Sequence, residues 1–356
     1  MQIGETFDVD GIDWLKPIAN GIYHWGDTPF FGLHEIQHLD LESKRKELFG
    51  RCEIIRCINP NLPIEAVVFG VYVDIDHPDL HMEKIFLPVY LLKYADHLRQ
   101  MFPQDIEWPD YRDYDFCCAM ARPRYPRIVA SCWMANHSKE FKFLHSQNWQ
   151  PSATEQTLFE LLQIGGFKDW TDSWGPDCIQ MPYVYYPDQA DWDKPAKFQI
   201  LYKNLYHNAA AGIVIGAISW EWASELCEKY LFAVYSGCIP IVHGYKIYER
   251  LEKIGFDTFS DVIDTSSQYD KNLIRATWSL FDKNQKFFTQ ARDIIQRPDI
   301  KKRLKNNIRV AKNIGALYRN SLKNLNSPSA LAIFDQNKKQ IWQFFQGHHL
   351  DFESYE

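Results

Sequence analysis

Residues 224–244 read SELCEKYLFAVYSGCIPIVHG, and they contain the clearest secondary-structure signals of the sequence. Apolar residues recur at helical spacing through 226–234, and Gly237 follows where a helix C-terminal cap belongs. The pattern therefore predicts a helix over 225–236. An apolar strand, Ile239–His243, comes directly after it. A helix followed at once by a short apolar strand is typical of an α/β protein.

The first turn of this predicted helix contains Glu225, Glu228 and Lys229. A helix N-terminus offers N–H groups without intrahelical partners and favours anions, so it is a ready phosphate site. A carboxylate there can accept both hydroxyls of a ribose, and a lysine can pair with a diphosphate. The same residues also fit a plainer interpretation, in which the carboxylates cap the helix and Lys229 lies on the surface.

Outside this stretch, apolar runs alternate with segments of helical period, which favours an α/β architecture. Since 356 residues exceed the usual single core, we expect domains at 1–110 and 111–326. A C-terminal helix within 327–356 is expected to pack back on the first domain. The polar stretch 102–111, twice interrupted by proline, is predicted to be the interdomain linker.

The predicted strands are Cys52–Ile58, Ala66–Asp74, Phe116–Ala121, Phe198–Tyr202, Gly212–Ile218 and Ile239–His243. The predicted helices span 86–101, 126–136, 154–163, 225–236, 246–254, 270–296, 300–324 and 328–346.

The composition, with 46% hydrophobic and 24% charged residues, is that of an ordinary globular chain and leaves little room for long disorder. The sequence contains no run of about 18 apolar residues, so it predicts no membrane span. The N-terminus, MQIGETFDVDG, lacks the basic and apolar regions of a secretory signal. None of the eight cysteines forms a Cys-x-x-Cys pair, so they are expected to be small buried hydrophobes in a reducing compartment. We therefore expect a cytoplasmic protein without a membrane span.

Three segments together resemble the donor-binding core of α-1,3-fucosyltransferase-like glycosyltransferases, in particular the bacteriophage and large-virus branch of that superfamily. They cover roughly residues 113–276. The segments are Glu228-Lys229 with the following helix, Ser236-Gly237 and the strand 239–243; residues 251–264 with Tyr269-Asp270 and Arg275; and residues 116–127, an apolar strand that runs into an arginine-bearing turn.

The resemblance implies an α/β, GT-B-like fold, in which two Rossmann-like domains face a central cleft. The C-terminal domain would bind a UDP- or GDP-linked nucleotide-sugar, and the N-terminal domain would present the acceptor. No metal or other cofactor is implied, because arginine and lysine neutralise the leaving diphosphate. The arginines also fit a structural interpretation as ion-pair partners at the domain boundary. The implied donor-binding residues are Arg122, Arg124, Arg127, Glu225, Glu228, Lys229 and Gly237, with Glu228 at the ribose and Lys229 with Arg124 or Arg127 at the diphosphate.

An inverting transfer needs a general base that takes the proton of the acceptor hydroxyl. Asp74 and Asp76 lie at the end of the predicted strand Ala66–Asp74, and ligands gather at the carboxyl ends of parallel strands. Glu35 and His34 are competing candidates, and a plain loop role fits each of them as well. Asp74-Ile-Asp76 also fits the Asp-x-Asp metal site of the other large glycosyltransferase fold, but the C-terminal segments favour GT-B.

A different class of enzyme is suggested by His34-Glu35-Ile36-Gln37-His38, which fits the His-Glu-x-x-His string of zinc hydrolases. On a helix the two histidines share a face, and Glu35 would activate the metal-bound water. No third ligand motif follows this string. A zinc-dependent hydrolase is therefore kept as an alternative, together with a non-catalytic sugar- or nucleotide-binding protein.

The net charge of −7 hides a basic segment, 283–323, which holds twelve Lys and Arg residues and two Asp. A basic stretch on an acidic chain indicates a phosphate-bearing partner, although a solvated helix face explains it equally well. Lys301, Lys302 and Arg303 are the predicted nucleic-acid-binding residues. Together with the phage-like resemblance, this segment makes a 5-hydroxymethylated pyrimidine in phage DNA a candidate acceptor. A glycan hydroxyl is the alternative acceptor.

Overall fold

A computed structural model of the chain shows two compact units, Met1–Lys93 with Ile314–Glu356, and Tyr94–Asn313. The predicted domain bounds, 1–110, 111–326 and 327–356, cut the chain at other positions and stay predictions. The structure describes residues 15–19, 22–25, 66–69, 72–73, 83–86, 91–92, 94–95, 98–99, 107–120, 125–147, 205–216, 223–224, 226–313, 316–317, 332 and 336.

The first unit contains a sheet in the order β1-β2-β3-β5. β1 and β2 are antiparallel, whereas β2, β3 and β5 run parallel. Its described strands are β1 (Leu15–Ala19), β2 (Ile22–Trp25), β3 (Ala66–Phe69), β4 (Tyr72–Val73) and β5 (Glu83–Phe86). β3 and β4 fall within the predicted strand Ala66–Asp74, while β1, β2 and β5 were not predicted.

The second unit contains a parallel sheet in the order β7-β6-β8-β10. From β6 the chain passes through α1 to β7 on one side, and then to β8 on the other side. From β8 it continues through α2 to β10, so the winding direction reverses between β6 and β8. The strands are β6 (Tyr114–Met120), β7 (Phe143–Gln147), β8 (Ala209–Ile215), β9 (Ala223–Ser224) and β10 (Ile239–His243). The helices are α1 (Tyr125–Asn136), α2 (Glu228–Tyr235), α3 (Ile247–Ile254), α4 (Leu273–Lys283), α5 (Gln285–Ile294) and α6 (Pro298–Lys312), with short 3-10 turns at Tyr206–Asn208 and Ser266–Tyr269.

Helices cover both faces of this sheet, so three of its strands, β6, β8 and β10, are almost wholly buried and mostly apolar. On one face Phe116 stacks on Phe143 at 5.2 Å between ring centroids and lies 4.6 Å from Phe288 of α5. On the other face α2 approaches Gly212 so closely that a Cβ there would lie 2.7 Å from Ala233 Cβ. The predicted α/β class with a parallel sheet is confirmed for this unit.

The predicted elements of the second unit match the structure best where their signals are local. β10 has the predicted bounds, and α1 begins one residue before the predicted helix 126–136. The predicted helix 270–296 is wrong as a single helix, because Asn284 separates α4 from α5. The Asn284 side chain donates to Asp264 O at 3.0 Å and accepts from Asp264 N at 2.8 Å. These two hydrogen bonds attach the loop that contains Asp264 to the break between α4 and α5.

Several predicted elements lie outside the described residues. These are the strands Cys52–Ile58 and Phe198–Tyr202, the helix 154–163, and residues 102–106 of the predicted linker. Short helical pieces at 91–92, 94–95 and 98–99 fall within the predicted helix 86–101.

A buried arginine connects segments at the amino ends of strands in the second unit by hydrogen bonds. Arg112, which is 2% exposed, precedes β6. Its Nη2 donates to Ser236 O at 2.8 Å, and its Nη1 donates to His207 O. Ser236 leads into β10 and His207 leads into β8. One guanidinium thus satisfies carbonyls of the segments that enter two strands of the sheet.

Trp108 packs beside this arginine, although it belongs to the predicted linker. Its Nε1 donates to Tyr235 O at 3.1 Å, and its ring lies against Gly237. Residues 107–111 are the described end of the predicted linker. Through Trp108 they take part in the packing of the second unit.

Candidate functional site

The candidate site lies at the edge of the parallel sheet formed by the carboxyl ends of β6 and β8. These strands are neighbours, and the winding direction reverses between them. In doubly wound sheets ligands bind in the crevice at such a reversal point. The chain leaves β6 towards α1, and it leaves β8 towards α2, so both helices begin on this side of the sheet.

Arg127 spans the reversal point. It is the third residue of α1 and is 3% exposed. Its Nε and Nη2 donate to Ile215 O, at 3.3 and 3.1 Å. Because Ile215 is the last residue of β8, this guanidinium connects the helix after β6 with the carboxyl end of the next strand. The structure thus places one of the three predicted arginines at this edge.

Glu228 and Lys229 are the first two residues of α2. Lys229 Nζ lies 2.6 Å from Glu228 Oε1, and the side chains of Lys229 and Glu228 are only 11% and 15% exposed, respectively. The interpretation of Lys229 as a surface lysine is therefore wrong. Two charged groups buried at the first turn of a helix carry a desolvation penalty that a plain cap would not need.

The charged groups around Glu228 lower its pKa. Burial acts to raise it, but the Lys229 ammonium, a hydrogen bond from the backbone N–H of Glu228 itself and the Arg127 charge outweigh burial. The net result is a lowered pKa, so Glu228 is ionised at neutral pH. The contribution of Arg127 shows that all three charged groups belong to one electrostatic cluster.

The charges of the same cluster also act on Cys118 of β6. Burial raises the pKa of its thiol to about 12, while Arg127 and Lys229 both act to lower it. The two cations therefore lie within electrostatic reach of a single thiol, although they come from different helices. Nothing in the sequence pointed to Cys118, since a cysteine within an apolar run is ordinarily a packing residue.

Chemically, the cluster combines two cations, one carboxylate and the N-terminus of α2. Cations at a helix N-terminus are suited to phosphate groups, and a carboxylate is suited to a pair of hydroxyls. This is the composition that the donor-binding prediction required of Arg127, Glu228 and Lys229.

Gly237 lies apart from this cluster, and its donor-binding role stays a prediction. It follows the C-terminal end of α2, about 12 Å along the helix from Glu228. Its φ is +67°, and a Cβ at this position would overlap the Trp108 ring. Gly237 is required for the helix end and for the close packing of Trp108.

The three predicted nucleic-acid-binding residues have different surroundings on α6. Arg303 forms bidentate pairs with Asp257 and Asp261, with nitrogen–oxygen distances from 2.6 to 3.0 Å. Its guanidinium also lies 4.6 Å from the centroid of the Phe259 ring. Hydrogen bonds and the charge of Arg303 lower the pKa of Asp261, and they lower that of Asp257 against the opposing effect of burial. Arg303 thus holds the loop before α4, whereas Lys301 and Lys302 form no such pairs with the residues that the structure describes.

Replacing Arg303 by methionine is expected to lower the free energy of unfolding by about 1–2 kcal/mol, because four hydrogen bonds to two carboxylates are lost. The matched change Lys302→Met, on the exposed side of the same helix, is expected to stay within about 0.5 kcal/mol of the parent. Urea titrations of both variants measure the difference. Equal stabilities would contradict the structural role of Arg303.

The remaining predicted site residues lie outside the described residues. They are the catalytic candidates Asp74, Asp76, Glu35 and His34, the donor-binding candidates Arg122, Arg124 and Glu225, and His38 of the zinc string. In the part of the chain that the structure describes, no three His, Cys, Asp or Glu side chains come together as a metal site would require.

Comparisons with known proteins give no match to any protein-family model, curated protein or solved structure. None of the helices within the described ranges has the length and apolar character needed to cross a membrane. The five described cysteines, at 117, 118, 132, 227 and 238, are all buried, as predicted.

Proposed function

We propose that this chain is a nucleotide-sugar-dependent glycosyltransferase that binds its donor at the reversal point of the parallel sheet. The observation that carries the proposal is the buried Glu228–Lys229 pair at the N-terminus of α2, in one electrostatic cluster with Arg127. Perturbed, buried charges in a crevice of this kind are typical of ligand-binding sites.

In this proposal the diphosphate of a UDP- or GDP-linked sugar lies against Lys229, Arg127 and the first N–H groups of α2. Glu228 accepts hydrogen bonds from the ribose hydroxyls, which its ionised state favours. Arg122, Arg124 and Glu225 complete the donor site in the proposal. Because the cations neutralise the leaving diphosphate, the reaction as proposed uses no metal ion.

The proposed reaction inverts the configuration of the sugar. An acceptor hydroxyl oxygen attacks the anomeric carbon while the bond between that carbon and the diphosphate oxygen breaks. The acceptor proton passes to a carboxylate, for which Asp74, Asp76 and Glu35 are the candidates. The negative charge that develops on the diphosphate is stabilised by Lys229 and Arg127.

We further propose a GT-B arrangement, in which Tyr94–Asn313 binds the donor and the other unit presents the acceptor. Support comes from the division into two compact units, each of which holds a sheet with parallel strands. The acceptor is a hydroxyl group, either of a hydroxymethylated pyrimidine in DNA or of a glycan. The expected compartment is the cytoplasm of the producing or infected cell.

The test incubates the full-length protein with a panel of UDP- and GDP-sugars and measures release of nucleoside diphosphate. One donor is expected to be consumed, and a hydroxymethylated duplex or a glycan is expected to accelerate its consumption. Lys229→Ala is expected to lower kcat/KM about 10²–10³-fold, since it removes a cation from the leaving group.

The matched control is Lys253→Ala. Lys253 also follows a glutamate on an eight-residue helix, but it is exposed on α3. Its replacement is expected to leave kcat/KM unchanged. A parent protein that neither binds nor consumes any donor contradicts the proposal, and so does a Lys229→Ala variant with the activity of the control.

A further inference from the structure

The solvent side of α6 carries a continuous basic stripe formed by Lys301, Lys302, Lys305 and Arg309. At 100° per residue, these four positions fall within an arc of about 100° around the helix. From Lys301 to Arg309 the stripe is about 12 Å long. The acidic residue of α6, Asp299, lies off this arc and pairs with Arg297.

The four cations of this basic stripe have no carboxylate partner among the described residues, in contrast to Arg292 and Arg303. Arg292 pairs with Asp115 at 2.8 Å, and Arg303 pairs with two aspartates. No ion pair is formed by Lys301, Lys302, Lys305 or Arg309 in the described part of the chain. Arg309 instead donates to Asn306 Oδ1, on its own helix. In the folded chain some basic residues of this segment are thus paired with carboxylates, whereas Lys302, Lys305 and Arg309 are exposed and Lys301 is partly exposed.

The opposite side of α6 is fixed in the core. Ile300, Leu304 and Ala311 are 0% exposed, and Ile308 is 8% exposed. An amphipathic helix that lies in a membrane interface must offer its apolar side to lipid, and here that side is occupied. The basic stripe is therefore a rigid surface rather than an insertable one.

We propose that the basic stripe of α6 binds the phosphate backbone of duplex nucleic acid. Duplex DNA carries one negative charge per ~1.7 Å of its axis, so a row of cations about 12 Å long meets a dense row of phosphates. Single-strand binders combine cations with aromatic stacking surfaces, whereas α6 contains no aromatic residue. Binding is expected to be independent of base sequence, because lysine and arginine pair with the backbone.

This inference does not depend on sugar transfer, since it rests on the charges of α6 alone. If the proposed transferase activity is also correct, the stripe identifies DNA rather than a glycan as the acceptor. Donor consumption measured on the same preparations separates the failure of one proposal from the failure of the other.

The test measures binding of the full-length protein to a labelled duplex of about 25 base pairs by fluorescence anisotropy, between about 50 and 200 mM salt. Three to four phosphate contacts predict a slope of log K against log salt of about −3. The variant Lys301→Glu, Lys302→Glu, Lys305→Glu is expected to bind at least about tenfold more weakly at the lowest salt concentration, with a shallower slope.

The matched control reverses three exposed lysines elsewhere in the second unit, Lys139, Lys142 and Lys253, which changes the net charge by the same amount. It is expected to retain more of the affinity than the α6 variant, and thermal unfolding confirms that both variants fold. Equal losses in the two variants overturn the proposal. So does tighter binding to a single strand, or binding to anionic vesicles without binding to the duplex.

Discussion

Gly237→Ala is expected to lower the free energy of unfolding by about 3 kcal/mol. The backbone at this position has a φ of +67°, which costs an alanine about 1 kcal/mol. The added Cβ would also overlap the ring of Trp108, and overpacking of this kind costs about 1–3 kcal/mol. Trp108 cannot move away freely, because its indole N–H is bound to Tyr235 O. Urea denaturation of the parent and the variant measures the loss.

A double-mutant cycle with Trp108→Ala separates the two causes. In the absence of the indole ring, Gly237→Ala is expected to cost only the backbone term of about 1 kcal/mol. An equal cost in both backgrounds would contradict the close packing of Trp108. Donor binding by the folded variant is expected to remain, since Gly237 lies at the far end of α2 from Glu228. Loss of donor binding without loss of stability would support the prediction that Gly237 binds the donor.

His145 is expected to make the protein about 3 kcal/mol less stable at pH 4 than at pH 7. It lies on β7, is 1% exposed, and neither of its ring nitrogens has a hydrogen-bond partner among the described residues. Burial lowers its pKa from 6.5 to about 4. Between these two values the unfolded chain binds a proton at this imidazole and the folded protein does not. Stability therefore falls as the pH decreases through this range, by about 1.4 kcal/mol for each unit of pKa difference.

The variant His145→Leu tests this expectation. It keeps an apolar group of similar size on the strand and removes the titrating ring. Between about pH 5 and 6.5, above the ordinary range of carboxyl groups, its free energy of unfolding is expected to change much less than that of the parent. The measurement is a series of urea titrations at fixed ionic strength. Identical pH dependence in the parent and the variant would show that His145 is not the group responsible.

The fold was predictable where short stretches of sequence are informative by themselves. The strand β10 was predicted with its bounds, and α2 was predicted to begin three residues too early, at 225 instead of Glu228. Both were recognised because the spacing of apolar residues, the capping glycine and the apolar strand all lie close together in the chain. β7 was missed because Phe143–Gln147 is short and half polar. The break between α4 and α5 was missed because it depends on Asn284 binding Asp264, twenty residues away. An asparagine within an amphipathic pattern gives no local sign of that contact.

The charged residues of the candidate site likewise divide into those that local sequence predicts and those that only packing brings together. Glu228 and Lys229 were identified from the sequence because a helix N-terminus can be located by pattern, and its affinity for anions is a property of the backbone. The contact of Arg127 with Ile215 joins residues that are 88 positions apart, so only the packed sheet brings them together. The burial that makes the Glu228–Lys229 pair unusual is also a property of the packed sheet.

Lys301, Lys302 and Arg303 illustrate the limit most directly. That this segment is basic and helical can be predicted from the residues alone, since both properties follow from composition and period. It could not distinguish the three residues, which stand side by side in the chain. Successive residues point about 100° apart on a helix, so Arg303 meets Asp257 and Asp261 while Lys302, the residue before it, is exposed. Which charges are neutralised within the fold and which are left for a partner depends on the packing of the chain, because the packing determines where the opposite charges lie.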